Sequence, residues 1–224
     1  MFLFRSLLAI CLTGSAFAAE SLEATFARMD SVSAQFKGLT ANLKQMKHME
    51  LLKEDETYAG RVVVKRPAKK DLRMLMVFEP PNERKAFFGG SKAQIYYPNA
   101  NLVQEWDLGK TATLRDELMM LAFGSNSRDI QSAYSVKLGG ADTVGGQKAT
   151  RIVLTPKNPE LSKMFHLIDM WIADETGLTL QQKLHESGGD YVMATYSDIK
   201  LTNPPDSAVK LDVPKNAKIE RPQK

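Results

Sequence analysis

Three histidines, His48, His166 and His185, and one cysteine, Cys11, are the side chains with which this 224-residue chain would do nucleophilic, acid–base or metal chemistry. The histidines stand far apart, and none has a second His or a Cys at ligand spacing, so the usual zinc sets are missing. Ser187 follows His185 and Glu186, but adjacent residues on a strand point to opposite faces, so this run is not a triad. Neither a GxGxxG nor a P-loop motif is present. The histidines therefore read as ordinary surface residues. Catalysis has no support, and no cofactor or metal is implied.

The remaining conspicuous residues suit binding rather than reaction. At Lys65-Arg66-Pro67 a strand ends, since Pro cannot continue a ladder, and Arg66 carries a fork of donors able to reach several acceptors. Basic clusters at Lys65-Arg66, Lys69-Lys70 and Lys215 to Lys224 read first as a solvated face, with attraction to anionic lipid or an acidic partner as the functional alternative. The eleven methionines include the groups Met46/Met49, Met74/Met76, Met119/Met120 and Met164/Met170. Most such residues fill cores, yet Met also lines pockets for variable apolar ligands, because its unbranched thioether repacks readily. Leu72, Met74, Met76 and Phe78 fall on one face of a strand and Arg73 on the other. By the same parity Ile95, Tyr97 and Trp106 join that face. Leu118, Met119, Leu121 and Ala122 of a helical stretch would close a greasy cavity from above.

The elements that must hold these residues follow from hydrophobic periodicity. Arg5, an apolar run over 6–13 and Ala16-Phe17-Ala18 form a secretory signal cleaved after Ala18, too short to span a bilayer. Its removal takes Cys11 with it, and a Cys-free exported chain suits a bacterial periplasm. Leu22, Phe26 and Met29 mark a short helix over 20–32. Residues 34–52 fit either period and are read as strand. Clear strands run over 61–65, 72–79, 85–88, 93–97, 102–108, 134–138, 147–155, 166–173, 178–185 and 191–201, with a last short one at 209–213. Helical periodicity returns over 111–123, where Gly124 stops it, and again from Ser127 to Ala133. About eleven strands at roughly 8–12-residue spacing predict an antiparallel meander curling into a barrel or half-barrel.

Composition fits one ordinary globular domain over 19–224: 43% hydrophobic, 25% charged and one Cys exclude collagen-like, disordered and disulfide-stapled classes. A net charge of +4 is too small to imply nucleic acid.

The ordered set of segments SVSAQFKG, RVVVKRPAKKDLRM, GGSKAQIYYPNANLVQEW, TLRDELMMLAFG, RIVLTPKN and DVPKNAKIE resembles the LolA-like family of periplasmic outer-membrane lipoprotein carriers. The resemblance covers nearly the whole mature chain. It implies a mainly β fold, an unclosed antiparallel barrel with a helical lid over a hydrophobic cavity, and no enzymatic activity. It implies a monomer that takes acylated lipoproteins from an inner-membrane ABC transporter complex and hands them to an outer-membrane acceptor. The family's lid arginine carries over to Arg66, which would hydrogen-bond the lid backbone in the closed, empty form. Two departures from the pattern are a longer segment between Phe36 and Gly60, and Leu72 and Met74 at positions usually aromatic. The alternatives are a carrier of another lipid or glycolipid for a dedicated exporter, and a lipid-sensing regulator of envelope stress. Such regulators usually carry a second domain, for which a chain ending at 224 leaves no room.

Overall fold

The computed structural model describes residues 21–68, 71–108, 117, 121 and 123–222. The expected signal segment, Lys69-Lys70 and most of the 111–123 helix lie outside them. Helix α1 (Leu22–Gln35) begins where the Ser21 side chain accepts from the Ala24 amide, and it buries Thr25, Phe26 and Met29. Next come β1 (Gly38–Met49), β2 (Glu54–Ala68), β3 (Asp71–Phe78), β4 (Arg84–Gly89), β5 (Lys92–Tyr97) and β6 (Leu102–Asp107). After α2 (Ser127–Ala133) run β7 (Tyr134–Val144), β8 (Gln147–Pro156), α3 (Pro159–Met164), β9 (Leu167–Ala173), β10 (Thr179–His185), β11 (Tyr191–Leu201) and β12 (Lys218–Glu220).

All twelve strands of the described residues belong to one sheet, ordered β12-β6-β5-β4-β3-β2-β1-β11-β10-β9-β8-β7. Every pairing among them is antiparallel except that of β12 with β6. The outer strands β7 and β12 do not pair with each other, so the barrel is unclosed, the one of the two forms left open by the strand spacing that the family resemblance implies. Among the described residues the strands number twelve, in keeping with the expected count of about eleven.

Period-2 patterning gives this sheet an inner and an outer face. Cross-strand register places Leu39, Val64, Met74 and Phe88, then Ala93 and Trp106, in one row. The next row holds Ala41, Val62, Met76, Ala86 and Ile95. Two apolar clusters line the concave side. Phe26 and Met29 of α1 meet Ile152, Leu154, Ile168 and Met170 in one. Phe36, Leu39, Leu43, Val62, Val64, Phe78, Phe123 and Tyr196 form the other. Burying each large apolar side chain contributes ~1.5–3 kcal/mol, so α1 is held by its apolar stripe rather than by helix propensity.

Two expectations need correction. Residues 209–213 are not a strand. Asp206–Val209 form a single helical turn bracketed by Pro205, and the chain rejoins the sheet only at Lys218–Glu220. The apolar alternation there serves a segment crossing the back of β2 and β3, where Val209 is 2% exposed, instead of an edge ladder. This strap is pinned by Asp206 to Lys65 at 2.7 Å and by Arg221 to Glu105 at 3.0 Å. Helix α3 is the second correction: Asn158 caps it and Pro159 occupies its first turn, a start signal that the strand reading passed over. The long segment before Gly60 is a protruding β1–β2 hairpin, with Leu51 94% exposed at its tip.

Candidate functional site

At Arg66 the β2–β3 ladder shifts register between Lys65 and Ala68, as Pro67 requires, while on the β1 side the Arg66 amide donates to the Lys37 carbonyl and continues the β1–β2 register. The side chain then reaches the loop before α2. Its Nη2 donates to the Gly124 carbonyl at 2.6 Å, and Ser33 Oγ of α1 donates to the same oxygen at 2.7 Å. The Arg66 guanidinium also lies over the Phe36 ring, 4.9 Å from its centroid. One turn earlier on α1, Asp30 accepts from the Ser127 amide at 2.6 Å and from Ser127 Oγ at 2.7 Å. Burial pulls the Arg66 pKa below its usual value, opposed by the charge of Asp129. The group remains cationic, because arginine does not deprotonate in proteins.

Gly124 is required there. Its φ is +78°, and a Cβ would come within 2.6 Å of both Arg66 Nη2 and the Phe36 ring. A recess of about 300 Å³ opens beside this junction, lined by Asp30, Ser33, Arg66, Gly124, Asn126 and Asp129.

The other residues singled out in the sequence divide by place. Leu72, Met74 and Met76 are partly buried against the cluster that holds Phe78, all on the concave face. Ile95, Tyr97 and Trp106 continue that face across β5 and β6 and are half-buried. Leu121 is buried in the other cluster, with Phe26, Met29 and Ile130. Leu118, Met119 and Ala122 lie outside the described residues. Sequence reasoning missed Phe36, Val62, Val64, Phe123 and Tyr196 as concave-face partners, and Ser33, Asp30 and Gly124 as contacts of the loop. Val62 and Val64 had the same alternating signal as β3, whereas nothing local marks a carbonyl as an acceptor.

Between α1, Leu121, Phe123 and Leu178 the enclosed volume is only about 10 Å³. That is no more than one water occupies, so the protein's own side chains fill this side of the shell. Apolar surface of this kind offers binding by desolvation, without a directional reacting group.

The histidines are not isolated in space, which corrects the sequence reading. Antiparallel register sets His48 opposite Tyr191 and Tyr191 opposite His185. His48 stacks on Tyr191 with centroids 4.8 Å apart, and the His166 ring centroid lies 6.0 Å from that of His185. Their nitrogens bond carboxylates: His48 to Asp55 at 2.6 Å and Glu50 at 3.0 Å, His185 to Asp169 at 2.8 Å. Hydrogen bonds from Asp55 and then Glu50 raise the His48 pKa. Among the described residues no group of three His, Cys, Asp or Glu is arranged to hold a metal. The same residues contain no helix long and apolar enough to cross a membrane.

Comparison with known proteins gives three findings. Residues 34–209 match the family described as outer membrane lipoprotein carrier protein LolA. A search of curated proteins finds no match. Among solved structures, an uncharacterized conserved protein from Thermus thermophilus is similar at 14% identity and a TM-score of 0.54, covering 91% of this chain and 100% of its own. MucB is similar at 13% identity and a TM-score of 0.51 over 86% of this chain, which spans only 64% of the MucB chain. At such identities the likeness is one of fold.

Proposed function

The chain belongs to the LolA family of outer membrane lipoprotein carrier proteins, whose members are binding proteins of the periplasm or envelope, and from that premise we propose that it ferries acylated lipoproteins. In this reading it is exported through a cleaved signal, receives lipoprotein from an inner-membrane ABC transporter complex, and delivers it to an outer-membrane acceptor. The observation that carries the proposal is the apolar concave face of β1–β6, whose half-buried Met, Leu and Phe side chains stand beside a loop fastened by Arg66.

Each CH₂ taken from water contributes ~0.8 kcal/mol, so long acyl chains demand a shielded site during transit. Shielding alone would trap the cargo, and release needs an opposing term. The Arg66–Gly124 bond supplies one, because it exists only while the loop is closed on β2 and α1. A charge-assisted bond that is still partly solvated is worth about 1.5 kcal/mol, the lower end of its range, which biases the closed state roughly tenfold. Acyl chains entering beneath Phe36 and Phe123 would displace the loop and break that bond. Expelling them restores it.

The test is to purify the protein from the compartment in which it is made and identify bound material by mass spectrometry. Triacylated protein supports the proposal. Free glycolipid, or no acylated material, overturns it.

A further inference from the structure

Arg84 opens β4 directly opposite Phe78 of β3, so its side chain stands on the concave face among apolar residues. Its guanidinium carbon lies 4.1 Å from the Phe78 ring centroid and 4.4 Å from that of Tyr58. Two rings thus hold one planar cation in place. Among the described residues it makes no hydrogen bond and no ion pair. Glu56, the carboxylate two residues before Tyr58, is engaged by the Tyr58 hydroxyl. A fixed guanidinium with its donors unspent is prepared for an anion, and its fork matches phosphate in a way that a lysine cannot.

From Arg84 the concave side of β3 continues through Phe78, Met76, Met74 and Leu72. At ~3.3 Å per residue this track is about 20 Å long. One leaflet of a bilayer holds hydrocarbon to a depth of about 15 Å, half of the ~30 Å core, so one acyl chain fits along it. Arg66 stands beyond the Leu72 end, where Lys65 pairs with Arg73. An anion-reading end and a latched end therefore bound a single apolar track.

We propose that Arg84 is a headgroup site: its guanidinium binds the phosphate of a phospholipid whose acyl chain lies along the Phe78–Leu72 track. The inference rests on the reading of the concave face as an acyl-binding surface, and it widens the cargo class to anionic phospholipid.

The experiment titrates the full chain with dioctanoyl phosphatidylglycerol, with dioctanoylglycerol and with glycerol 3-phosphate, following tryptophan fluorescence. Phosphatidylglycerol is expected to bind about tenfold tighter than dioctanoylglycerol. Arg84→Gln is expected to erase that difference without weakening dioctanoylglycerol, and Arg84→Lys to fall between, as it keeps charge and loses the fork. Circular dichroism verifies that both variants fold. Equal binding of the two lipids by the wild type overturns the proposal, as does a preference that survives in Arg84→Gln. Glycerol 3-phosphate binding as tightly as the phospholipid would make this a free-phosphate site and overturn the headgroup assignment. Failure of the wild type to bind dioctanoylglycerol at all would sink the acyl-binding premise itself, a result separable from the others.

Discussion

The guanidinium of Arg66 and the carbonyl of Gly124 meet at 2.6 Å although 58 positions separate them in sequence. Ser33 donates to the same oxygen, so one carbonyl gathers β2, α1 and the loop before α2. This junction is the part of the molecule whose making and breaking can be read out directly.

Replacing Arg66 by Leu keeps apolar contact with Phe36 and removes the bond. The closed state then loses about 1.5 kcal/mol, so lipid bound on the concave face should be retained roughly tenfold longer. Transfer of a fluorescent lipopeptide to acceptor vesicles measures this. Unchanged loading and unchanged release in Arg66→Leu would remove the latch role.

Gly124→Ala should destabilise the protein more than Gly145→Ala does. Both positions have positive φ, and both substitutions carry the backbone cost of ~1 kcal/mol. Only at 124 does the added Cβ meet a guanidinium and a ring, whereas at 145 it meets open space. Urea unfolding of the two variants should therefore differ in midpoint, and equal midpoints would mean that the loop can move aside without cost.

Met74 and Leu75 are adjacent residues on opposite faces of β3, Met74 toward the concave cluster and Leu75 toward the strap. Met74→Gln should weaken acyl binding by about 1–2 kcal/mol, from the apolar area lost. Leu75→Gln should leave it unchanged. A reversed pattern in a lipid-binding titration would show that ligand lies on the outer face.

His48 should titrate above the ordinary value of 6.5, because its charged form is held by Asp55 and Glu50. A raised folded-state pKa means that its contribution to folding is complete below about 6.5 and fades as pH climbs through the shifted value. The imidazole NMR titration of the intact protein should therefore show a pKa above 6.5 that falls back in Asp55→Asn. No change in that variant would dissociate His48 from its carboxylates.

Much of the sheet was legible before the structure, and the reason is local. Leu72, Met74, Met76 and Phe78 alternate against Arg73 because one face of β3 is buried, and a strand buried on one face writes that period into its own residues. Turn glycines separated the strands in the same way. Features made by distant residues left no such mark. His48 reaches His185 only through the register of three strands, and Gly124 is recognisable as a helix stop but not as the acceptor of Arg66. Strand β12 is three residues long and pairs with β6 far upstream, too short a run to show any period. Arg84 was overlooked because nothing in its neighbourhood sets it apart from the many surface cations; the rings that hold it lie on two other strands.

The strand order also carries a kinetic consequence. β1 lies at the middle of the sheet, yet one of its two neighbours is β11, and Asn42 bonds Asp198 across 156 positions. The centre of the sheet thus waits for a strand made near the end of the chain, while β2 to β6 and β7 to β10 each assemble from neighbours in sequence. Closing so large a loop before any contact rewards it puts this protein among the slow folders, on the millisecond-to-second scale. A partly made chain would present β1 with one edge bare. A sheet that joins its two halves last thus leaves its central strand open to wrong partners until β11 arrives.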